Sequence, residues 1–253
     1  MPTLSRPAVA PTRGYYCDSA QWDPYVPRQG DIVIGTAPKV GTTWMQQIVS
    51  LLVFQSTEPK PLHFISPWLD CRLRANLGEQ LALLEMQTHR RYIKSHLPLG
   101  ALPIWDEVKY IHVARDGRDA CLSYMNHNNA YTAGAWARLD ATAQADPDLP
   151  APAPRPPRDA RGFLHHWIAP GGTAAAEQMG DGFFEIERSW WAERARPNLL
   201  LVHFADLKAD LDGEMRRISA FLDIAVDETL WPDLVAAADF EAMKTAGADL
   251  MPG

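Results

Sequence analysis

The 253 residues are 47% hydrophobic, enough to bury the core of one large α/β domain, and residues 1–253 read as one such unit. A formal net charge of −7 excludes a broad nucleic-acid interface, which needs a basic surface, and admits an anionic ligand only where Lys and Arg converge locally. Cys17, Cys71 and Cys121 contain no CxxC pair, which argues against a disulfide framework or a zinc site and for reduced thiols in a cytoplasmic protein.

Residues 1–30 scatter prolines among Tyr15, Tyr16, Trp22 and Tyr25 with neither helical nor strand periodicity, and lack the basic-then-apolar order of a signal peptide. They predict an arm packed over the domain. Residues 31–35 form a short apolar run bounded by glycines, as a buried strand does. From Thr42 onward, Trp44, Ile48, Leu51 and Leu52 fall on one face of a helix, and its apolar run 48–54 is too short to cross a bilayer, so no transmembrane segment is expected. Further strands are predicted at 91–94, 110–113 and 199–203, with helices at 69–86, 117–126, 183–194 and 211–222. The alternation predicts an α/β fold with a parallel central sheet flanked by helices. In such sheets ligands gather beyond the carboxyl ends of the strands, where Lys39, His96 and Arg115 fall. Residues 141–162 hold six prolines and almost no large apolar side chain, which predicts a mobile surface loop without regular structure.

Three segments carry chemistry. Gly35-Thr-Ala-Pro-Lys39-Val-Gly41-Thr42-Thr43-Trp44 places a glycine just before a helix start, where backbone N–H groups and the helix dipole favour an anion. Lys39 adds a mobile cation, and the two threonines add hydroxyl donors. This P-loop-like cradle is not a Walker A motif, which needs lysine directly after the last glycine. Tyr92-Ile-Lys94-Ser-His96-Leu-Pro98 ends a strand with Lys94 and His96 on the same face, and the lysine keeps the imidazole neutral and available as a base. The pair His165-His166 and the single His203 read as structural or solvated. In Arg115-Asp-Gly-Arg118-Asp119-Ala-Cys-Leu-Ser123, Arg115 stands between a strand and a helix, able to grip a phosphate with its fork, with Ser123 two turns further on. Arg118 and Asp119 read as a local pair at the helix end. Alone, Arg115 reads better as half of a structural salt bridge.

Together, and in this order, these segments resemble the soluble, cytosolic type of sulfotransferase that uses 3′-phosphoadenosine 5′-phosphosulfate (PAPS). The resemblance runs from Asp31 to about Lys244 and skips the region near 130–180. It implies that Lys39, Gly41, Thr42 and Thr43 hold the 5′-phosphosulfate and that Trp44 stacks on adenine. It implies Arg115 and Ser123 at the 3′-phosphate and Phe204 and Phe240 around adenine. His96 is then the general base, with Lys39 and Lys94 stabilising the transferring group and no metal required. The chain departs from the family at Val40 (commonly serine), Ala37 (often aromatic), Phe204 (usually tyrosine) and Ala238 (often threonine), and its 253 residues contain no basic Lys-Gly segment after Phe240.

Two rival readings remain open at this point: a P-loop kinase or nucleotide hydrolase, and a non-enzymatic binder of adenosine 3′,5′-bisphosphate (PAP). The acceptor expected is a hydroxyl of a small molecule or glycolipid. Aromatics of the arm and Trp105, Tyr131, Trp136, Trp190 and Trp191 are candidates for its pocket, although Trp190 and Trp191 read better as core.

Overall fold

Four short runs rich in Ile, Val, Leu and Tyr pair side by side because their faces are buried by helices. The structure, a computed structural model, describes residues 2–73, 76–149, 155–169 and 182–245. In chain order the elements are β1 (Leu4–Arg6), β2 (Ile32–Thr36), α1 (Thr42–Phe54), α2 (Leu62–Ile65), α3 (Leu77–Met86), β3 (Tyr92–Ser95), β4 (Ile104–Trp105) and β5 (Lys109–Ala114). They continue with α4 (Gly117–Asn129), α5 (Ala133–Gln144), α6 (Ala160–Ile168), α7 (Phe183–Ala192), β6 (Leu199–His203), α8 (Phe204–Ala209), α9 (Leu211–Phe221), α10 (Trp231–Ala238) and α11 (Phe240–Thr245). The central sheet is parallel throughout, in the order β3-β2-β5-β6, while β1 and β4 form a separate antiparallel pair.

The chain leaves β2 for β3 on one side and reaches β5 on the other, so the order switches direction at β2. A crevice therefore opens beyond Thr36. All five residues of β2 are buried. Gly35 and its register partner His112 share the face covered by Trp190, whose ring would lie 2.0 Å from a Cβ at position 35. Only glycine lets α7 approach this closely. On the other side α1 packs back along β2 and β3, its buried positions including Met45, Ile48, Val49 and Leu52.

The four sheet strands lie within one residue of their predicted ends. The arm packs as expected, with Tyr15, Tyr16, Trp22 and Tyr25 all buried. The helix predicted at 69–86 is a correction. It begins only at Leu77, capped by Asn76. Upstream, Asp18 and Arg72 donate backbone hydrogen bonds to the Asp70 and Tyr16 carbonyls, which ties the turns at residues 70–72 to the arm. The proline-rich stretch is a second correction, apart from residues 150–154, which lie outside the described residues. Residues 141–144 finish α5, whose Leu139 and Ala143 are buried, and residues 160–162 start α6, capped by Asp159. Asp146 is buried in ion pairs with Arg13 and Arg72 at 2.7 and 2.6 Å, so the stretch is tied down where it begins. No helix among the described residues is long and apolar enough to cross a membrane.

Candidate active site

Residues 37–41 turn the chain from β2 into α1 with two left-handed residues, Lys39 (φ 66°) and Gly41 (φ 121°). Gly41 is required twice over: its φ disfavours any side chain, and a Cβ there would lie 3.0 Å from the Phe204 ring. It occupies the N-cap position of α1, no side chain caps that helix, and no acidic residue stands in its first turn. The first N–H groups of α1 and the positive end of its dipole are thus left for an anion. They face a pocket of about 410 Å³.

The structure brings every site residue expected from the sequence to this pocket. Lys39, Gly41, Thr42, Thr43, Trp44, Lys94, His96, Arg115, Ser123, Phe204 and Phe240 all line it. Burial first, and Arg115 second, push the Lys39 ammonium below its ordinary pKa. Arg115 lies one residue past β5. Its Nη1 donates to the Lys39 carbonyl at 3.2 Å, its guanidinium lies 4.4 Å over Phe204, and its Nε is buried with no hydrogen-bond partner. An orphaned donor on one cation beside a second, half-desolvated cation fits an anionic group between them. Trp44 packs at 5.3 Å from Phe204 and 5.0 Å from Phe240, with its Nε1 donating to the Ala238 carbonyl at 2.7 Å. The expected Arg118–Asp119 pair does not form. Arg118 forks onto the α4 cap Asp116, at 3.0 and 2.6 Å, because both lie on the outer side of the helix start, and Asp119 lies 3.9 Å from Arg115.

His96 follows β3 directly and is 6% exposed. Its Nδ1 lies 2.8 Å from the carbonyl of Thr36, which can only accept, so Nδ1 carries the proton and Nε2 keeps its lone pair. The Thr36 hydroxyl also reaches Thr42 Oγ1 at 2.6 Å, so one residue joins the histidine to the anion cradle. Burial, then Lys94 and Lys39, hold His96 well below the ordinary value of 6.5, against an upward pull from the Thr36 carbonyl. The lysine acts as the sequence predicts, but burial is the larger cause. Trp68 stands between the two groups: the Lys94 ammonium lies 4.2 Å over its ring, and His96 meets it edge-on at 4.7 Å.

The remaining wall is aromatic, formed by Tyr16, Trp68, Tyr124, His127 and Tyr131. Tyr16 and Tyr131 share a hydroxyl hydrogen bond at 2.5 Å, and Tyr131 reaches His127 Nε2 at 3.2 Å. Of the aromatic candidates, Tyr16 of the arm and Tyr131 belong to this wall, and Trp136 packs behind Tyr131 at 4.9 Å. Trp105, Trp190 and Trp191 do not. Trp190 is core, as read, whereas Trp191 is 61% exposed because the next position on α7 turns away from the sheet. Sequence reasoning missed Trp68, Tyr124 and His127. The last two had a usable signal, since Ser123 and His127 are one helical turn apart and Tyr124 is adjacent. Trp68 had none, because it lies outside helix and strand. His203 caps α8 by accepting from Ala205 N, a structural role as expected.

The chain matches the sulfotransferase domain family over residues 29–249. It belongs to the sulfotransferase family. A glycolipid sulfotransferase of Mycobacterium bovis is 34% identical over 95% of this chain and 77% of its own length. Mouse sulfotransferase 1B1 is 29% identical over 85% of this chain and 66% of its own length. A crystal structure of a mouse sulfotransferase complexed with PAP superimposes with a TM-score of 0.64 at 19% identity, covering 89% of this chain and 69% of the other, which supports the fold. This sulfotransferase is therefore an enzyme, and neither the kinase or hydrolase reading nor the binding-only reading is favoured.

Proposed function

We propose that this sulfotransferase takes its sulfuryl group from PAPS and delivers it to a hydroxyl of a glycolipid or other small molecule, with His96 as general base. The donor supplies an activated sulfuryl group on a phosphate leaving group. Residues 38–44 then hold the 5′ end through the α1 N-terminus, Thr42 and Thr43, while Arg115 and Ser123 take the 3′-phosphate. Trp44, Phe204 and Phe240 flank the adenine. Tyr16, Trp68, Tyr124 and Tyr131 offer rings to the acceptor, and His127 and the two tyrosine hydroxyls offer hydrogen bonds, a mixture suited to a sugar head on an apolar stem. The name of the mycobacterial relative supports the same class. His96 Nε2 receives the acceptor proton as its oxygen bonds to sulfur, and Lys39 and Lys94 stabilise charge on the leaving and sulfuryl oxygens.

The observation carrying this reading is the hydrogen bond from His96 Nδ1 to Thr36, which leaves a neutral Nε2 in the pocket that holds Lys39 and Arg115. His96→Ala tests it. PAP affinity by calorimetry should change little, while transfer from PAPS, followed by mass spectrometry over phenol, sterol and glycolipid acceptors, should fall ~10²–10⁴-fold. A folded variant that binds PAP and transfers at the wild-type rate would remove His96 from the mechanism.

A further inference from the structure

Asp70 has no exposed surface, although it lies between elements in the turn that follows Trp68. A buried carboxylate is costly unless donors surround it. Here they come from three separate places. Trp22 Nε1 of the arm donates at 3.2 Å, Trp68 Nε1 at 2.8 Å and the backbone N–H of His96 at 3.1 Å. The latter two donors belong to the residues that frame the reacting centre. One carboxylate oxygen, Oδ2, receives both the Trp68 indole and the His96 main chain, so it fixes their spacing. The indole ring in turn carries the Lys94 ammonium on its face and the His96 imidazole at its edge. A negative charge at the indole N–H also makes the ring face more electron-rich, which strengthens its hold on the ammonium.

We infer that Asp70 is a positioning residue for sulfuryl transfer: it sets His96 through the main chain and Lys94 through the Trp68 ring. This rests on the roles given above to His96 and Lys94. The carboxylate is needed rather than its shape alone. An amide at this position has one acceptor oxygen and would turn an NH2 group toward one of the three donors. Displacement of reacting groups by about 1 Å costs ~10²-fold in rate, and the expected loss is of that order.

The experiment uses the full chain with PAPS as donor and both 4-nitrophenol and octyl glucoside as acceptors. Asp70→Asn should lower kcat ~10–10²-fold on whichever acceptor is used, with the Kd for PAP within about twofold of wild type. Combined with His96→Ala, it should add clearly less than its own defect, because the base it positions is already gone and only its effect on Lys94 through Trp68 remains. Trp68→Phe keeps a ring and removes one donor, and should show the same pattern at ~3–10-fold. It remains informative even where Asp70→Asn fails to fold. Nitrogen-15 histidine spectra supply a readout independent of turnover: His96, whose Nδ1–H tautomer is fixed by Thr36, should shift its ring resonances in the Asp70 variant as its main chain is released. Wild-type kcat in Trp68→Phe, full additivity of Asp70→Asn with His96→Ala, or an unchanged His96 spectrum in a folded Asp70→Asn would each overturn the proposal. Failure of the His96 assignment itself looks different, since it appears in His96→Ala alone.

Discussion

Two helices begin at the carboxyl ends of neighbouring central strands, and they treat their first turns in opposite ways. At the start of α4, Asp116 accepts from Arg118 N at 2.9 Å, and Asp119 adds a second negative charge in the first turn. At the start of α1 the cap is Gly41, without a side chain, and no acidic residue follows. The same backbone physics acts at both sites, because each helix presents unpaired N–H groups and a positive dipole end. In α4 the protein answers that demand itself, and the helix serves the pocket through side chains further along, Ser123, Tyr124 and His127. In α1 the demand is left to a ligand. A helix start without its own acceptor is thus the mark of an anion site, provided that cations converge on it as Lys39 and Arg115 do.

The contrast is broken most severely by Gly41→Ala. A left-handed residue forced onto a side chain and pressed against Phe204 should weaken PAP binding ~10–10²-fold by calorimetry, while the fold, followed by circular dichroism, is kept. Arg115→Ala comes next. It should remove most of the preference for PAP over 5′-AMP, a ratio of ~10–10², since charge-assisted hydrogen bonds contribute ~1.5–3 kcal/mol each. Equal preference before and after the substitution would dissociate Arg115 from the 3′-phosphate. A smaller effect is the proton affinity of His96. Its imidazole, depressed by burial and by two lysines, should stay neutral well below pH 6.5 in NMR titrations of the donor-free protein. The midpoint should rise when PAP is added, because anions offset the lysines. The unfolded chain binds that proton near pH 6.5 and the folded one does not, so stability should decline as pH falls below that value. The smallest effect belongs to α4: Asp116→Ala removes a cap and should lower Tm by about 2–4 °C with PAP affinity unchanged.

Much of this was legible in the sequence where local chemistry decides structure. A buried strand, a glycine turn and an amphipathic helix were readable from residues 31–52, as was the Lys94–His96 pair at a strand end, because period-two and helical patterns act over neighbouring residues. What escaped depends on contacts distant in sequence. The residues around Asp70 continue a leucine pattern that suits a helix, yet bonds from Trp22 and His96 and the pairing with the arm hold them in turns. In the proline-rich stretch Pro147, Pro156 and Pro157 do lie outside both flanking helices. Thr132 and Asp159 caps and the buried Leu139 and Phe163 nevertheless carry helix further into it than composition suggested. Trp190 and Trp191 are indistinguishable by type, and only the packing of α7 on Gly35 decides which is core.

Phe204 has a consequence for anyone who would move this site elsewhere. Its ring lies 5.3 Å from Trp44, 4.4 Å below the Arg115 guanidinium and against the bare Cα of Gly41, so segments following β2, β5 and β6 all meet on one side chain. The anion cradle is therefore not a portable loop. Grafting residues 37–44 onto another scaffold would transplant the glycine without the ring that limits its space, and would leave behind Arg115, which rests on that ring. The smallest transferable unit spans three strand ends, so variation in this pocket must proceed by coordinated substitution rather than loop exchange.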